Sequence, residues 1–165
     1  MKKSEKEIST NLVQKLVEKH YGIKGNATKL NGEVDFNFKI SANNSQYFLK
    51  VYNQSIDIEF TKFQENIFNK LDKTLEKKVY PKQLLNTKGN AISSFFDKNN
   101  RKRFFRLNSW IDGRLWSEAN PITNTLREKL GRSAGKLTKS LESLKIIDSN
   151  YNTDWDLAKS LWTVN

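Results

Sequence analysis

The pattern that most constrains the fold is a regular alternation of side chains between residues 36 and 52. Residues 36–40 read FNFKI, with a large apolar side chain at every second position. This period of two is typical of a β-strand that buries one face. The polar run SANNS at 41–45 follows, and YFLKVY at 47–52 returns to apolar residues. The sequence therefore predicts a β-hairpin with a loop at 41–45.

The second predicted strand carries a lysine, Lys50, in otherwise apolar surroundings. An ionised group avoids such surroundings unless another group pairs with it. Lys50 therefore either faces water, which is the ordinary interpretation of an isolated strand lysine, or faces a site that holds a negative ligand. The period of two places Phe48 and Tyr52 on the same face as Lys50.

Helical periodicity and turn residues define the other elements. Two glycines inside the third predicted helix, Gly131 and Gly135, each cost roughly 1 kcal/mol relative to alanine, which predicts that another element approaches there. Strands segregated from helices indicate an α+β fold. The predicted helices are 4–21, 57–71, 125–144 and 154–162. The first has a capping box at 4–7 and ends at Gly22, and the third has a capping box at 125–128. The further predicted strands are 27–30, 91–96 and 102–111.

Composition excludes several kinds of chemistry. The chain has 165 residues, enough for one ordinary domain, and contains no cysteine and a single histidine, His20. Thiolate metal sites, histidine metal clusters and serine–histidine catalysis are therefore excluded. Twenty-nine basic against 18 acidic side chains give a formal charge of +11, which favours anionic partners. The charged start, 1–6, precedes no apolar run, so we expect a cytoplasmic protein without a membrane span.

Six segments together resemble the aminoglycoside phosphotransferase and choline kinase family, and its hydroxylysine kinase branch in particular. The family has a protein-kinase-like fold. The resemblance implies an N-lobe at 1–112, which begins with a helix and has an antiparallel sheet with one packed helix. It also implies that 113–165 is the start of a helical C-lobe. The segments are LNGEVDFNFKI (30–40), YFLKVYN (47–53), FQENIFNKL (63–71), NTKGN (86–90), RLNSWIDGRLW (106–116) and LGRSAGKLTKSL (130–141).

The resemblance also implies a nucleotide site. Lys50 would contact the α- and β-phosphates beneath the loop 31–37, and 109–111 would be the hinge whose backbone meets the adenine edge. Phe48 departs from the family, which places a small or β-branched residue two before the lysine, and this puts adenine specificity in doubt. The implied nucleotide-site residues are Asn31, Gly32, Asp35, Asn37, Phe48, Lys50, Glu65, Ser109, Trp110 and Ile111.

Several roles within this site have alternatives. The acidic partner of Lys50 is expected on the helix after it, at Glu65, with Gln64 in a register shifted by one and Glu59 as another acid of that helix. Gly32 is free to adopt a positive φ in its turn. Asp35 and Asn37 either touch the ligand or cap that turn.

The reaction implied by the resemblance is phosphate transfer from ATP or GTP, with Mg²⁺, to a hydroxyl of an amino-bearing metabolite such as hydroxylysine. The family's catalytic loop has the form His-Gly-Asp, and no histidine follows His20. We therefore expect the catalytic aspartate and the magnesium ligands C-terminal to this chain, and no transfer by the chain alone. Exposed C-terminal apolar residues then predict a homodimer.

The alternative function is a non-enzymatic basic module that binds nucleic acid or an acidic protein. Its support is the net charge and a basic cluster, Arg101, Lys102, Arg103 and Arg106, beside a predicted turn. A solvated turn is the ordinary interpretation of such a cluster. Under the kinase interpretation the partners are a nucleotide and a small-molecule substrate, with no membrane and no nucleic acid.

Overall fold

Six antiparallel strands and three α-helices make up the described part of the chain, residues 8–53, 58–74 and 80–142 of a computed structural model. This arrangement confirms the α+β fold class. In chain order the elements are α1 (Thr10–Tyr21), β1 (Asn26–Leu30), β2 (Phe36–Ala42), β3 (Ser45–Val51), α2 (Ile58–Thr74), β4 (Gln83–Leu84), β5 (Ser93–Phe96), β6 (Lys102–Ser109), a 3₁₀ turn (Trp116–Glu118) and α3 (Asn124–Leu141).

The sheet has the order β1-β2-β3-β6-β4, and β5 also pairs with β6. The predicted hairpin is present as β2 and β3, whose pairing runs from Phe36↔Val51 to Ala42↔Ser45. Its loop is only Asn43 and Asn44, shorter than predicted, because Asn43 accepts a positive φ of 50°. The two-residue strand β4 was not predicted, since it is too short to carry a periodic pattern.

One face of the sheet forms the core with α1. Val13, Leu16 and Val17 of α1 are buried against it, at the spacing that brings helix side chains onto one face. Each fully buried Val, Leu or Phe side chain contributes roughly 1.5–3 kcal/mol to folding. The sheet residues in this core are Phe38, Ile40, Leu49, Val51, Phe105 and Leu107.

Helix α1 begins and ends at side-chain and backbone caps. The Ser9 hydroxyl accepts a hydrogen bond from the Leu12 amide at 3.3 Å, and Ile8 before it is buried in the same core as Val13, as in a hydrophobic staple. Gly22, with φ of 68°, ends the helix as predicted. The predicted capping box at 4–7 lies outside the described residues, and within them the cap is Ser9.

The other face of the sheet packs α2, and we call it the α2 face. Tyr52, just after β3, donates its hydroxyl hydrogen to Gln64 of α2 at 3.4 Å. The Arg106 guanidinium of β6 lies 5.0 Å from the ring centroid of Phe68 on the same helix. Lys50 is on this face too, because paired β-residues share a face and Lys50 pairs with Arg106.

Helix α3 differs from its prediction in two ways. Its N-cap is Thr123, whose hydroxyl accepts from the Leu126 amide at 3.2 Å, and not the predicted Thr125. Among the described residues, a Cβ at Gly131 or Gly135 would meet nothing within 4 Å, so no described element makes the predicted close approach. Helix α3 touches α2 yet buries none of its own side chains. The predicted helix at 154–162 lies outside the described residues, and the division into lobes at 112 stays a prediction.

The turn between β5 and β6 is organised by Asp97. Its carboxylate accepts hydrogen bonds from the amides of Asn99 and Arg101 at 2.9 and 3.1 Å. The Nε atoms of Arg101 and Arg103 donate to its other oxygen at 3.2 and 2.9 Å. Arg103 is 1% exposed, so Asp97 neutralises a cation inside the fold. Burial alone would raise the pKa of Asp97, but the bonds from Arg103 and the two amides hold that pKa below its ordinary value.

We predict that Asp97→Asn makes the protein less stable at neutral pH and flattens the acid side of its stability curve. A carboxyl whose pKa is lower folded than unfolded stabilises the fold above the unfolded pKa of about 4, and this contribution is lost as pH falls below that value. Urea unfolding of both proteins at about pH 3, 5 and 7 measures the difference, with the exposed Glu128→Gln as the control. Parallel pH curves for the Asp97 variant and wild type would contradict the prediction.

Candidate functional site

Three neighbouring strands place a row of polar side chains across the α2 face. Asn37 of β2 and Arg106 of β6 are both Cα partners of Lys50 on β3. Directly paired residues have Cβ atoms about 4.5–5.5 Å apart, so the three side chains are immediate neighbours. Two residues further along β6, Asn108 pairs with Phe48. The α2 face therefore has a charged row followed by a row that contains an aromatic ring and an amide.

Lys50 forms an ion pair with Asp35 in this site. The Lys50 Nζ lies 2.8 Å from Asp35 Oδ2, and the two side chains are only 25% and 19% exposed. The Asp35 Oδ1 accepts from the Asn53 amide at 2.9 Å. Because Asp35 precedes β2 and Asn53 follows β3, the hairpin pairing itself brings these groups together. Lys50 is thus held by an acid on a partly closed surface and does not extend into bulk solvent.

The ion pair differs from the expected partnership with α2. Within the described ranges Glu65 makes no ion pair, and the carboxylate at Lys50 is Asp35. Gln64 accepts from Tyr52, and Glu59 pairs with Lys62 at 2.7 Å on the exposed surface. Asp35 is the partner because the hairpin pairing brings it beside Lys50, whereas the α2 side chain that reaches Tyr52 is the uncharged amide of Gln64. A role of Glu65 with bound nucleotide stays a prediction.

The loop from Asn31 to Asn37 closes on itself. The Asn37 amide nitrogen donates to the Asn31 carbonyl at 3.4 Å. A Cβ at Gly32 would overlap the Asp35 carbonyl oxygen and lie 2.6 Å from that same Asn37 nitrogen. Glycine is therefore required here by close approach and not by the positive φ that we expected, since Gly32 lies outside the left-handed region. Asn37 therefore caps this loop, whereas the Asp35 carboxylate bonds Lys50 and the Asn53 amide outside it.

At the predicted hinge, two of the three backbone N–H groups are already used. The Ser109 amide donates to the Lys82 carbonyl at 2.7 Å, and the Trp110 amide to the Gln46 carbonyl at 3.1 Å. The Ser109 hydroxyl accepts from the Lys82 amide at 2.8 Å. Ile111 is 42% exposed and makes no hydrogen bond to another described residue. Of the three hinge residues, Ile111 therefore has the amide that is free to meet a ligand.

Trp110 lies where the hinge meets the β2–β3 hairpin. Its ring is 4.6 Å from the Lys39 Nζ, a cation–π contact. An open pocket of about 260 Å³ is bounded there by Trp110, Gln46, Asp112 and the hairpin turn. Lys50 does not line this pocket. Since Lys39 is the Cα partner of Phe48, the pocket lies beyond Phe48 and on the side away from the charged row.

Arg106 and Tyr52 are the buried neighbours of Lys50 on the α2 face. The Arg106 Cζ lies 5.6 Å from the Tyr52 ring centroid, and the Lys50 Nζ lies 5.7 Å from it. Burial lowers the pKa of Arg106. Burial also raises the pKa of Tyr52 to about 12, so this tyrosine is neutral at physiological pH. The sequence analysis placed Arg106 in a basic cluster beside a turn. Its position in the site follows only from the strand register, which pairs it with Lys50.

Comparison with known proteins supports a kinase fold. No family model and no curated protein matches the sequence. Among the solved structures that match are three small-molecule phosphotransferases, and the chain spans less than half the length of each of them. Spectinomycin phosphotransferase APH(9)-Ia with ADP and spectinomycin is 17% identical over 84% of this chain and 40% of its own, with a TM-score of 0.60. Amicoumacin kinase hAmiN with AMP-PNP, Ca²⁺ and Ami is 17% identical over 92% of this chain and 46% of its own, with a TM-score of 0.71. The microcompartment-associated aminopropanol kinase is 16% identical over 90% of this chain and 45% of its own, with a TM-score of 0.65.

The class defined by these matches is the fold of small-molecule phosphotransferases, and the expected kinase-like N-lobe is confirmed at that level. Identities of 16–17% establish the fold and nothing narrower, so the hydroxylysine branch stays a prediction. Within the described residues no three Asp, Glu, His or Cys side chains come together as a metal site. We assign no magnesium ligand to those residues. No described helix is both long and apolar enough to cross a membrane.

We predict that Asp35→Asn lowers the free energy of unfolding by about 1–3 kcal/mol, because the partly buried Lys50 ammonium loses its carboxylate. Urea unfolding measures the loss. The control is Glu18→Gln, which removes an exposed ion pair with Lys24 and should cost less than about 0.5 kcal/mol. Adding Lys50→Met to the Asp35 variant should restore part of the stability. A loss no larger than that of the control would contradict the role of this ion pair.

Proposed function

We propose that this chain is the nucleotide-binding part of a small-molecule kinase of the aminoglycoside phosphotransferase and choline kinase family. The reaction would transfer phosphate from ATP or GTP to a hydroxyl of an amino-bearing metabolite, such as hydroxylysine. The observation that carries the proposal is Lys50, a strand lysine that is three-quarters buried on the α2 face and held by Asp35. The fold shared with three phosphotransferases supports it.

In this proposal the ammonium of Lys50 binds the α- and β-phosphates. An ammonium is a compact charge on a flexible stem, which suits phosphate oxygens. Its attraction to phosphate is less screened at a partly buried position than in open water. Asp35 is the counter-ion of Lys50 before nucleotide binds, and the phosphates take its place at Lys50. The loop 31–37, closed by Gly32 and Asn37, then covers the phosphates.

The base lies toward the hinge in the same proposal. Ile111 donates its amide N–H to the edge of the base, because the amides of Ser109 and Trp110 are engaged within the fold. Phe48 lies beside the base, between Lys50 and the hinge. A phenyl ring at this position gives the base a stacking surface, which every base can use. Such a contact does not distinguish adenine from guanine, so the proposal includes both ATP and GTP as phosphate donors.

We further propose that the chain binds nucleotide without transferring phosphate. It has no histidine after His20 with which to form a His-Gly-Asp loop. Transfer also needs metal ions and a positioned acceptor, and the described residues supply no cluster of metal ligands. The exposed side chains of Leu130 and Leu137 on α3 favour the proposed homodimer. The proposed location is the cytoplasm.

The basic-module alternative loses much of its support in the described structure. Of the four residues in its cluster, Arg103 and Arg106 are 1% and 7% exposed, and Arg101 pairs with Asp97. Lys102 is the exposed member. A net charge of +11 still favours weak, salt-sensitive binding of polyanions by the whole surface.

We predict that Lys50→Ala weakens ATP binding by about 10- to 100-fold, because a charge-assisted contact to phosphate is worth about 1.5–3 kcal/mol. Titration calorimetry or a fluorescent ATP analogue measures the affinity. Lys62→Ala, which removes an exposed lysine from α2, is the matched control and should bind like wild type.

The same titration distinguishes the two candidate functions. Saturable ATP binding that requires Lys50 supports the kinase lobe. Binding to any polyanion that weakens with salt and is the same in the Lys50 and Lys62 variants would favour the basic module instead.

A further inference from the structure

Arg106 of β6 is a buried cation whose hydrogen-bonding groups are incompletely used. The residue is 7% exposed. Its Nε and Nη1 are buried, and within the described residues neither has a hydrogen-bond acceptor. A buried donor without an acceptor costs about 1–3 kcal/mol, and more when it is charged. A buried cation of this kind is satisfied by an anion, and no described side chain accepts from these two nitrogens.

The aromatic rings around Arg106 do not meet this need. Its Cζ lies 5.6 Å from the Tyr52 ring centroid and 5.0 Å from that of Phe68. Rings at these distances interact with the positive charge of the guanidinium. The N–H groups, by contrast, lie in the guanidinium plane and need oxygen acceptors there. Tyr52 and Phe68 therefore hold Arg106 in place but leave its hydrogen-bonding edge unsatisfied.

The charge balance of the row points to the same conclusion. Lys50 and Arg106 are Cα partners, and like charges directly opposite each other repel. The carboxylate beside Lys50 is Asp35, and both its oxygens are engaged, by Lys50 and by the Asn53 amide. Tyr52 is neutral at physiological pH, as its raised pKa requires. The row therefore carries one more positive than negative charge in a partly closed site.

A negative group beside Lys50 also acts on Arg106. Burial lowers the pKa of Arg106, and the nearby Asp35 carboxylate opposes that shift only in part, so the guanidinium interacts with the negative charge at that position. Lys50 and Arg106 both contact the Tyr52 ring. An anion with several oxygens that took the place of Asp35 could be shared by both cations.

We propose that Arg106 is a second phosphate-binding residue of the Lys50 site and donates its in-plane N–H groups to an oxygen of a nucleoside triphosphate or a related polyphosphate. Arg106 thus serves the interior site and not a surface patch. The inference rests on the proposed function, since it assumes that phosphates bind at Lys50. The two are tested separately below.

The experiment measures the affinity of the 165-residue chain for tripolyphosphate and for ATP by titration calorimetry. Arg106→Gln should weaken both by about tenfold, because the lost contact is to phosphate and not to the base. Arg106→Lys keeps the charge between the rings but loses the Nε and Nη1 donors, and should weaken both by a smaller factor. Lys102→Gln is the matched control, since it removes an exposed cation from the same strand and should bind like wild type. Circular dichroism verifies folding.

The outcomes separate the two proposals. Wild-type affinity for tripolyphosphate in a folded Arg106→Gln protein would overturn the inference and leave Arg106 as a packing residue. If that variant does not fold, wild-type affinity of Arg106→Lys overturns it equally. If Lys50→Ala binds both probes normally while the Arg106 variants do not, the proposed role of Lys50 fails and Arg106 stands as a phosphate site. Weaker ATP binding with unchanged tripolyphosphate binding would also overturn the inference.

Discussion

The ion pair between Lys50 and Asp35 is the interaction on which the proposed site depends. It exists because β2 and β3 pair in one register, which brings the residue before β2 beside the lysine within β3. A shift of that register by one residue would turn Lys50 into the core and Leu49 toward α2. The apolar residues of the core face prevent such a shift, since they would all be exposed. The core therefore fixes the site, although none of its side chains belongs to it.

Strand β6 gives the site its second cation and its hinge. It pairs with β3 on one side and with β4 and β5 on the other, so it lies inside the sheet and its side chains are largely buried. Arg106 and Asn108 point to the α2 face at the same level as Lys50 and Phe48. The Asn108 side-chain oxygen, like two nitrogens of Arg106, is buried without a hydrogen-bond partner in the described structure. Four of the six such atoms in the described structure, on Asn37, Arg106 and Asn108, lie on this face, and the other two belong to Tyr21 and Arg103. Clusters of unsatisfied polar atoms are typical of functional surfaces, where stability is lower in favour of binding.

Much of the fold followed from local pattern, and the errors have local causes. Period-two alternation located β2 and β3, and helical spacing with Gly22 located α1. The cap of α3 is predicted at Thr125 because residues 125–128 have the form of a capping box, and the structure has the cap at Thr123 instead. The cost of glycine in a helix predicts close packing at Gly131 and Gly135, yet both are exposed in the described structure. Propensity gives the cost of a residue but not the reason for it.

The sequence by itself determined that Lys50 lies in a strand, that Phe48 and Tyr52 share its face, and that this chain has no cysteine and a single histidine. These conclusions need only residue type and spacing. The tertiary structure alone decided that the acid at Lys50 is Asp35, that Arg106 faces inward beside it, and that Gly32 is required by close approach. Each of these depends on which strands are neighbours and in what register. Strand pairing joins residues far apart in the chain, and no local pattern encodes their distance.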